Sequence, residues 1–128
     1  MGLTASRRAG EVLVVHDDVA TVAFIVGVVQ EAGYLVRGTA QASTAVAMIT
    51  AQPPALVIVK LAMPELNGPE LIMYLDMIGQ TCPVVLLASS RQKVKFFLKN
   101  HAVLYLKEPV APKALLACVA KYVEPVST

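Results

Sequence analysis

Two hydrophobic patterns alternate along this chain, and each predicts a different element. Short unbroken apolar runs, Val12-Leu13-Val14-Val15, Ala55-Leu56-Val57-Ile58-Val59 and Pro83-Val84-Val85-Leu86-Leu87-Ala88, read as strands buried on both faces. Tyr34-Leu35-Val36-Arg37 is a more alternating second strand, and Ala102-Val103-Leu104-Tyr105-Leu106 a fifth. Between them, apolar residues recur at helical spacing. A helix is expected from Val19 to Ala32, with Asp18 as N-cap and Gly33 as its stop. A second runs over 43–52 until Pro53-Pro54 end it, and a third over 69–78, opened by Pro69 and closed by Gly79. The basic segment 91–100 has Val94, Phe97 and Leu98 on one side and predicts a fourth helix, and Pro112 to Val123 a fifth. Strict alternation of strand and helix is the pattern of a parallel sheet with crossover helices, a doubly wound α/β fold.

At 128 residues the chain suits one domain, expected over 11–123, with 1–10 a flexible leader and 124–128 a tail or the start of a linker. The formal charge of +2 is too small to imply nucleic acid, and no apolar run approaches the ~20 residues of a membrane span. The leader carries Arg7-Arg8 but no hydrophobic segment of signal-peptide type follows it. Cys82 and Cys118 are in no metal-ligand or redox spacing and read as small buried hydrophobes. A cytoplasmic protein without cofactor is the expectation.

In open α/β sheets functional groups gather at the carboxyl ends of the strands. Those ends here carry His16-Asp17-Asp18, Lys60, Ala88-Ser89-Ser90 and Lys107-Glu108-Pro109. The segment after the third strand, Lys60-Leu61-Ala62-Met63-Pro64-Glu65-Leu66-Asn67-Gly68, resembles the phospho-acceptor segment of response-regulator receiver domains at each defining position but the first. The resemblance spans about 11–123. It implies the CheY-like (flavodoxin-like) sheet, strand order 2-1-3-4-5 with five helices, and a role in two-component signalling.

Carried over position by position, the same resemblance implies a degenerate phosphorylation pocket. The paired acids that hold Mg²⁺ in receivers fall on His16 and Asp17, with Asp18 adjacent. The acceptor aspartate falls on Lys60, the strand-four hydroxyl on Ala88 with hydroxyls displaced to Ser89 and Ser90, and the fifth-strand lysine on Glu108. Asp17, Pro109 and the aromatic switch position, Tyr105, match. Nucleophile, metal site, hydroxyl donor and cation are thus altered together. The exchange of Asp and Lys for Lys60 and Glu108 is reciprocal in charge, so Lys60 is expected to pair with Glu108 and Asp17, with Asp18 a further candidate, unless it reaches into solvent unpaired.

His16 is open to two readings, a metal ligand with Asp17 or a hydrogen-bonded strand-end residue. Ser89 and Ser90 suit a helix cap, and Tyr105 half-buried packing in place of a moving switch. Arg91, Lys95 and Lys99, with Phe96, Tyr105 and Lys113, form a candidate interface, the alternative being a solvated basic helix.

These residues suggest a phosphorylation-independent interaction module, a pseudo-receiver with no enzymatic activity and no bound metal. Its partner would be a protein: a sensor kinase, an output domain or a second copy. Phosphorylation at a displaced Asp17, Asp18 or Ser89 is the alternative, and nucleic-acid contact through the basic helix a further one.

Overall fold

The computed structural model describes residues 9–64, 67–89 and 103–126. Five parallel strands, β1 (Val12–Val15), β2 (Val36–Thr39), β3 (Leu56–Lys60), β4 (Val84–Ala88) and β5 (Val103–Lys107), form one sheet in the order β2-β1-β3-β4-β5. Four helices are present among the described residues: α1 (Val19–Glu31), α2 (Ala42–Ala51), α3 (Gly68–Met77) and α4 (Pro112–Tyr122). The helix expected over 91–100 lies outside them, and with it Arg91, Lys95, Phe96 and Lys99 of the candidate interface.

The continuous apolar runs are explained by a sheet covered on both sides. Val12, Val14, Leu56, Ile58, Val85 and Leu87 face a layer holding Ile25 and Val29 of α1 and Leu115 and Val119 of α4. The alternate residues Leu13, Val15, Val57, Val59, Val84 and Leu86 face Ala45 and Ile49 of α2 and Leu71, Ile72 and Leu75 of α3. With period-two side chains, a strand buried on both faces has no position left for a polar residue. Polar side chains therefore begin where the strands end, and that is where the site is built.

The second strand differs from expectation, beginning at Val36 instead of Tyr34. Gly33, at φ +97, turns the chain out of α1, and the Tyr34 N–H returns to the Val29 carbonyl, so Tyr34 completes the helix exit; the Leu35 carbonyl accepts from the Val12 N–H at 2.9 Å and leads into the strand. The register then sets Val36 beside Val12 and Gly38 beside Val14. Gly38 lies directly under α1: a Cβ there would stand 2.6 Å from Val22 Cγ1 and 2.9 Å from Val26 Cγ2. Valine has little rotamer freedom in a helix, so Gly38→Ala is expected to lower the unfolding free energy by roughly 2 kcal/mol. Urea denaturation reads this directly, and an unshifted midpoint would mean that α1 can lift off β2 without cost.

The chain beyond α4 stays against the domain as far as it is described, the Val126 N–H donating to the Gly33 carbonyl at 2.7 Å. Neither cysteine is in a disulfide; Cys82 is buried, whereas Cys118 is only partly so, on the flank of α4. Burial pushes the Cys118 thiol above its ordinary pKa, so it remains protonated at neutral pH.

Candidate functional site

The carboxyl ends of β1, β3, β4 and β5 converge, and the loops that leave them hold the site. After β1 the chain turns at His16-Asp17-Asp18 into α1. Asp18 is extended, at φ −98 and ψ 114, and its carboxylate accepts from the Thr21 N–H at 3.2 Å, the arrangement of an N-cap. A further bond, from the Thr21 hydroxyl, holds the Asp18 carboxyl below the usual range. Asp18 is thus committed to starting the helix, as its place before the apolar run predicts.

His16 is buried, at 3 % exposure, and both ring nitrogens are engaged. The Asp18 backbone N–H lies 3.0 Å from Nδ1, and since an amide can only donate, Nδ1 carries a lone pair. The proton is therefore on Nε2, which donates to Glu108 Oε2 at 2.8 Å. This neutral tautomer ties the end of β1 to the start of α1 and to the loop after β5. Of the two readings of His16, the geometry corresponds to the hydrogen-bonded strand-end residue, with no ring nitrogen left for a metal.

Lys60 ends β3, and its ammonium donates to Asp17 Oδ1 at 3.0 Å. The expected contact with Glu108 is not made. Reciprocal charge specifies sign but not reach, and His16 stands against Glu108 while Lys60 lies against Asp17. Both side chains of the Lys60–Asp17 pair are about one-third exposed, so the pair contributes at most about 1 kcal/mol. Its consequence is electrostatic. The hydrogen bond from Lys60, opposed in part by burial, holds the Asp17 carboxyl below its ordinary pKa.

A depressed folded-state value means that this contribution is present above the unfolded carboxylate pKa and is lost as pH falls through the folded one. Replacing Lys60→Met is expected to raise the Asp17 pKa, read from the carboxyl carbon shift in an NMR titration. An unmoved titration would show that Lys60 does not hold Asp17 in solution.

Between these pairs the backbone of the site is tightly defined. Asn67 caps α3 through the Glu70 N–H at 2.9 Å, and the Glu70 side chain accepts from the Asn67 N–H at 3.1 Å, a reciprocal capping box. Gly68 is required by contact, since a Cβ there would meet Leu86 Cδ2 at 2.5 Å and the Lys60 carbonyl at 3.3 Å. The Leu61 N–H continues to the Leu87 carbonyl at 2.8 Å, and the Glu108 N–H reaches the Ala88 carbonyl at 2.8 Å. Ala88 is buried and brings a methyl where the resemblance implies a hydroxyl; Ser89 beside it is exposed, and Ser90 lies outside the described residues. The Glu108-Pro109 peptide is cis.

The profile of the response regulator receiver domain matches residues 12–120. The chain belongs to that family. Among solved structures, this receiver is similar to the Vibrio cholerae chemotaxis protein CheY4, at 22 % identity and a TM-score of 0.79, covering 91 % of this chain and 100 % of that one. It is also similar to the receiver domain of Francisella response regulator 1452, at 24 % identity and a TM-score of 0.77 over 87 % and 93 % of the two chains. NtrX from Brucella abortus, at 21 % identity and a TM-score of 0.79, is covered over only 27 % of its length by 91 % of this chain. No curated protein matches.

The family implies a divalent cation beside the first strand, and the residues of this receiver do not fit one. Magnesium needs hard oxygen ligands in near-octahedral geometry. Here an ammonium lies on Asp17, Asp18 caps α1 and the imidazole of His16 is committed at both nitrogens. No cluster of three or more His, Cys, Asp or Glu that could hold a metal occurs among the described residues.

Tyr105, the aromatic switch position, is 48 % exposed on β5, and Lys113 is exposed near the start of α4. Lys107 is exposed too, alternating with Leu104 and Leu106, which pack on the α1 and α4 layer. Sequence reasoning missed a groove of about 560 Å³ lined by Ala20, Thr21, Phe24, Glu108, Pro109 and Val110. The absence of charge from Val19 to Gln30 was its available signal.

Proposed function

We propose that this receiver is a pseudo-receiver, a two-component signalling module that works by protein contact, without aspartyl phosphorylation and without enzymatic activity. The observation that carries the reading is the position of Lys60: a cation stands where the family places its nucleophile, and it lies 3.0 Å from Asp17. An ammonium cannot accept a phosphoryl group as a carboxylate does, and it repels the divalent cation that would neutralise the transferring charge. The other replacements act in the same direction. Ala88 offers no hydroxyl, and Glu108 brings a negative charge, held by His16, where a cation would draw the phosphoryl oxygens.

The family connection supports a sensor kinase, an output domain or a second receiver as partner, in the cytoplasm. No helix among the described residues is long and apolar enough to cross a membrane. With Asp17 paired and Asp18 capping a helix, neither is a ready substitute acceptor. Incubation of the protein with acetyl phosphate and Mg²⁺, followed by intact mass, is expected to give no phosphoryl adduct. An adduct mapped to Asp17, Asp18 or Ser89 would replace this reading by one of displaced phosphorylation.

A further inference from the structure

The outer face of α1 is as apolar as its inner face. From Val19 to Gln30 the helix has no charged side chain, whereas a surface helix ordinarily turns a polar face to water. Val19, Ala20, Ala23, Phe24 and Gly27 are all exposed, at helical spacing on one side, Val19 at 71 % and Phe24 at 47 %. The other described helices differ: α2 exposes Ser43, Thr44 and Thr50, α3 carries Glu70 and Asp76, and α4 carries Lys113 and Lys121.

Gly27 is an independent indication. A glycine inside a helix is unfavourable relative to alanine and needs a reason. Nothing among the described residues supplies one, since a Cβ at Gly27 would have none of their atoms within 4 Å. Close approach of another backbone is a reason of the right kind. The groove beside Phe24 is a third feature of the same face, a recess between α1 and Pro109-Val110 next to a projecting ring.

We propose that two copies of this receiver associate through the outer face of α1, Phe24 of each seating in the groove beside Pro109 and Val110 of the other. A second copy is the occupant that fits, for two reasons. A two-fold contact sets each patch against its own image, which the charge-free helix face permits and a charged face opposes, and the one charged side chain that lines the groove, Glu108, is already bonded to His16. It also requires knob and recess on one surface, as Phe24 and the groove are. A helix of 13 residues is about 20 Å long, so the contact is at the small end of specific interfaces and the dimer is a reversible one. The surface does not include the Lys60–Asp17 pair. The inference rests on the reading of the domain as an interaction module and names its partner.

Sedimentation velocity of the full chain from about 5 to about 500 µM tests it, a range that brackets a weak specific dimer. Wild type is expected to pass from monomer to dimer within that range. Phe24→Glu should raise the dissociation constant about 30-fold, as loss of a central aromatic anchor does. Gly27→Leu should weaken the dimer by at least about tenfold, while the monomer stays folded because the added side chain enters open space. Met73→Glu, at a 69 % exposed apolar position on α3, should leave association unchanged. A wild type that remains monomeric throughout, a dimer indifferent to Phe24→Glu and Gly27→Leu, or a dimer equally lost in Met73→Glu would each overturn the proposal. None of these outcomes bears on whether the chain takes up phosphoryl groups, so the two readings fail separately.

Discussion

His16→Ala is expected to lower the unfolding free energy by about 3 kcal/mol, a fall in Tm of about 10 °C. The imidazole is 3 % exposed and makes two bonds that nothing else replaces. Truncation leaves the Asp18 N–H without its acceptor at the first turn of α1, and the Glu108 carboxylate, 19 % exposed, without its donor. An orphaned buried amide costs about 1–3 kcal/mol and a carboxylate more, moderated here because Asp18, an exposed residue, and Glu108 can both recover some water. Lys60→Ala is the instructive comparison. Its pair is one-third exposed, and its loss should cost no more than about 1 kcal/mol. A His16→Ala protein within 1 kcal/mol of wild type in urea or thermal melts would show that the His16–Glu108 strut does not bear on stability.

The second large effect concerns chemistry. Lys60→Asp is expected to remain unphosphorylated by acetyl phosphate and Mg²⁺, because restoring the nucleophile leaves the other parts absent. Loss of a single well-placed electrostatic donor reduces catalysis about 10²- to 10³-fold, and here the hydroxyl at Ala88, the cation at Glu108 and the acid at His16 are all missing. Such effects are not additive, but even partial combination puts the reaction out of reach of ordinary incubation. The fourfold variant His16→Asp, Lys60→Asp, Ala88→Thr, Glu108→Lys is expected to gain one phosphoryl group, since the Gly68, Asn67 and Pro109 framework around those positions is intact. Intact mass of the two variants side by side decides the matter. An adduct on Lys60→Asp alone would show that the remaining groups are not needed.

The fold was legible because a sheet buried on both faces writes itself as unbroken runs of Val, Leu and Ile, and because Asp18, Gly33, Pro69 and Gly79 punctuate the helices by chemistry local to each. Strand β2 began two residues late for the same kind of reason, seen from the other side. Tyr34 and Leu35 are β-formers by type, but the helix exit at Gly33 and the pairing of Val36 with Val12 are set in three dimensions.

The site was legible as a set of positions and not as a set of contacts. His16, Asp17, Lys60, Ala88 and Glu108 do come together at the strand ends. Their partners followed reach and burial: Glu108 sits on the imidazole, Lys60 on Asp17, and Asp18 turns away to cap α1. Reciprocity of charge suggests a direct Lys60–Glu108 contact, where the structure runs from Glu108 through His16 to Asp17 and Lys60, His16 Nδ1 lying 3.6 Å from Asp17 Oδ1. The apolar outer face of α1 was visible as a charge-free stretch from Val19 to Gln30, but a stripe on a helix becomes a surface only when the sheet shows which side is covered.

The central claim is that fixed pairs occupy the site and leave it unresponsive to metal and phosphoryl donor. The most direct measurement is the amide NMR spectrum of the ¹⁵N-labelled protein, titrated with Mg²⁺ and then with acetyl phosphate. The expected result is no saturable shift at His16, Asp17, Lys60, Leu61, Ala88, Ser89 or Glu108. Saturable shifts confined to those residues would contradict the claim and return the site to ordinary receiver chemistry.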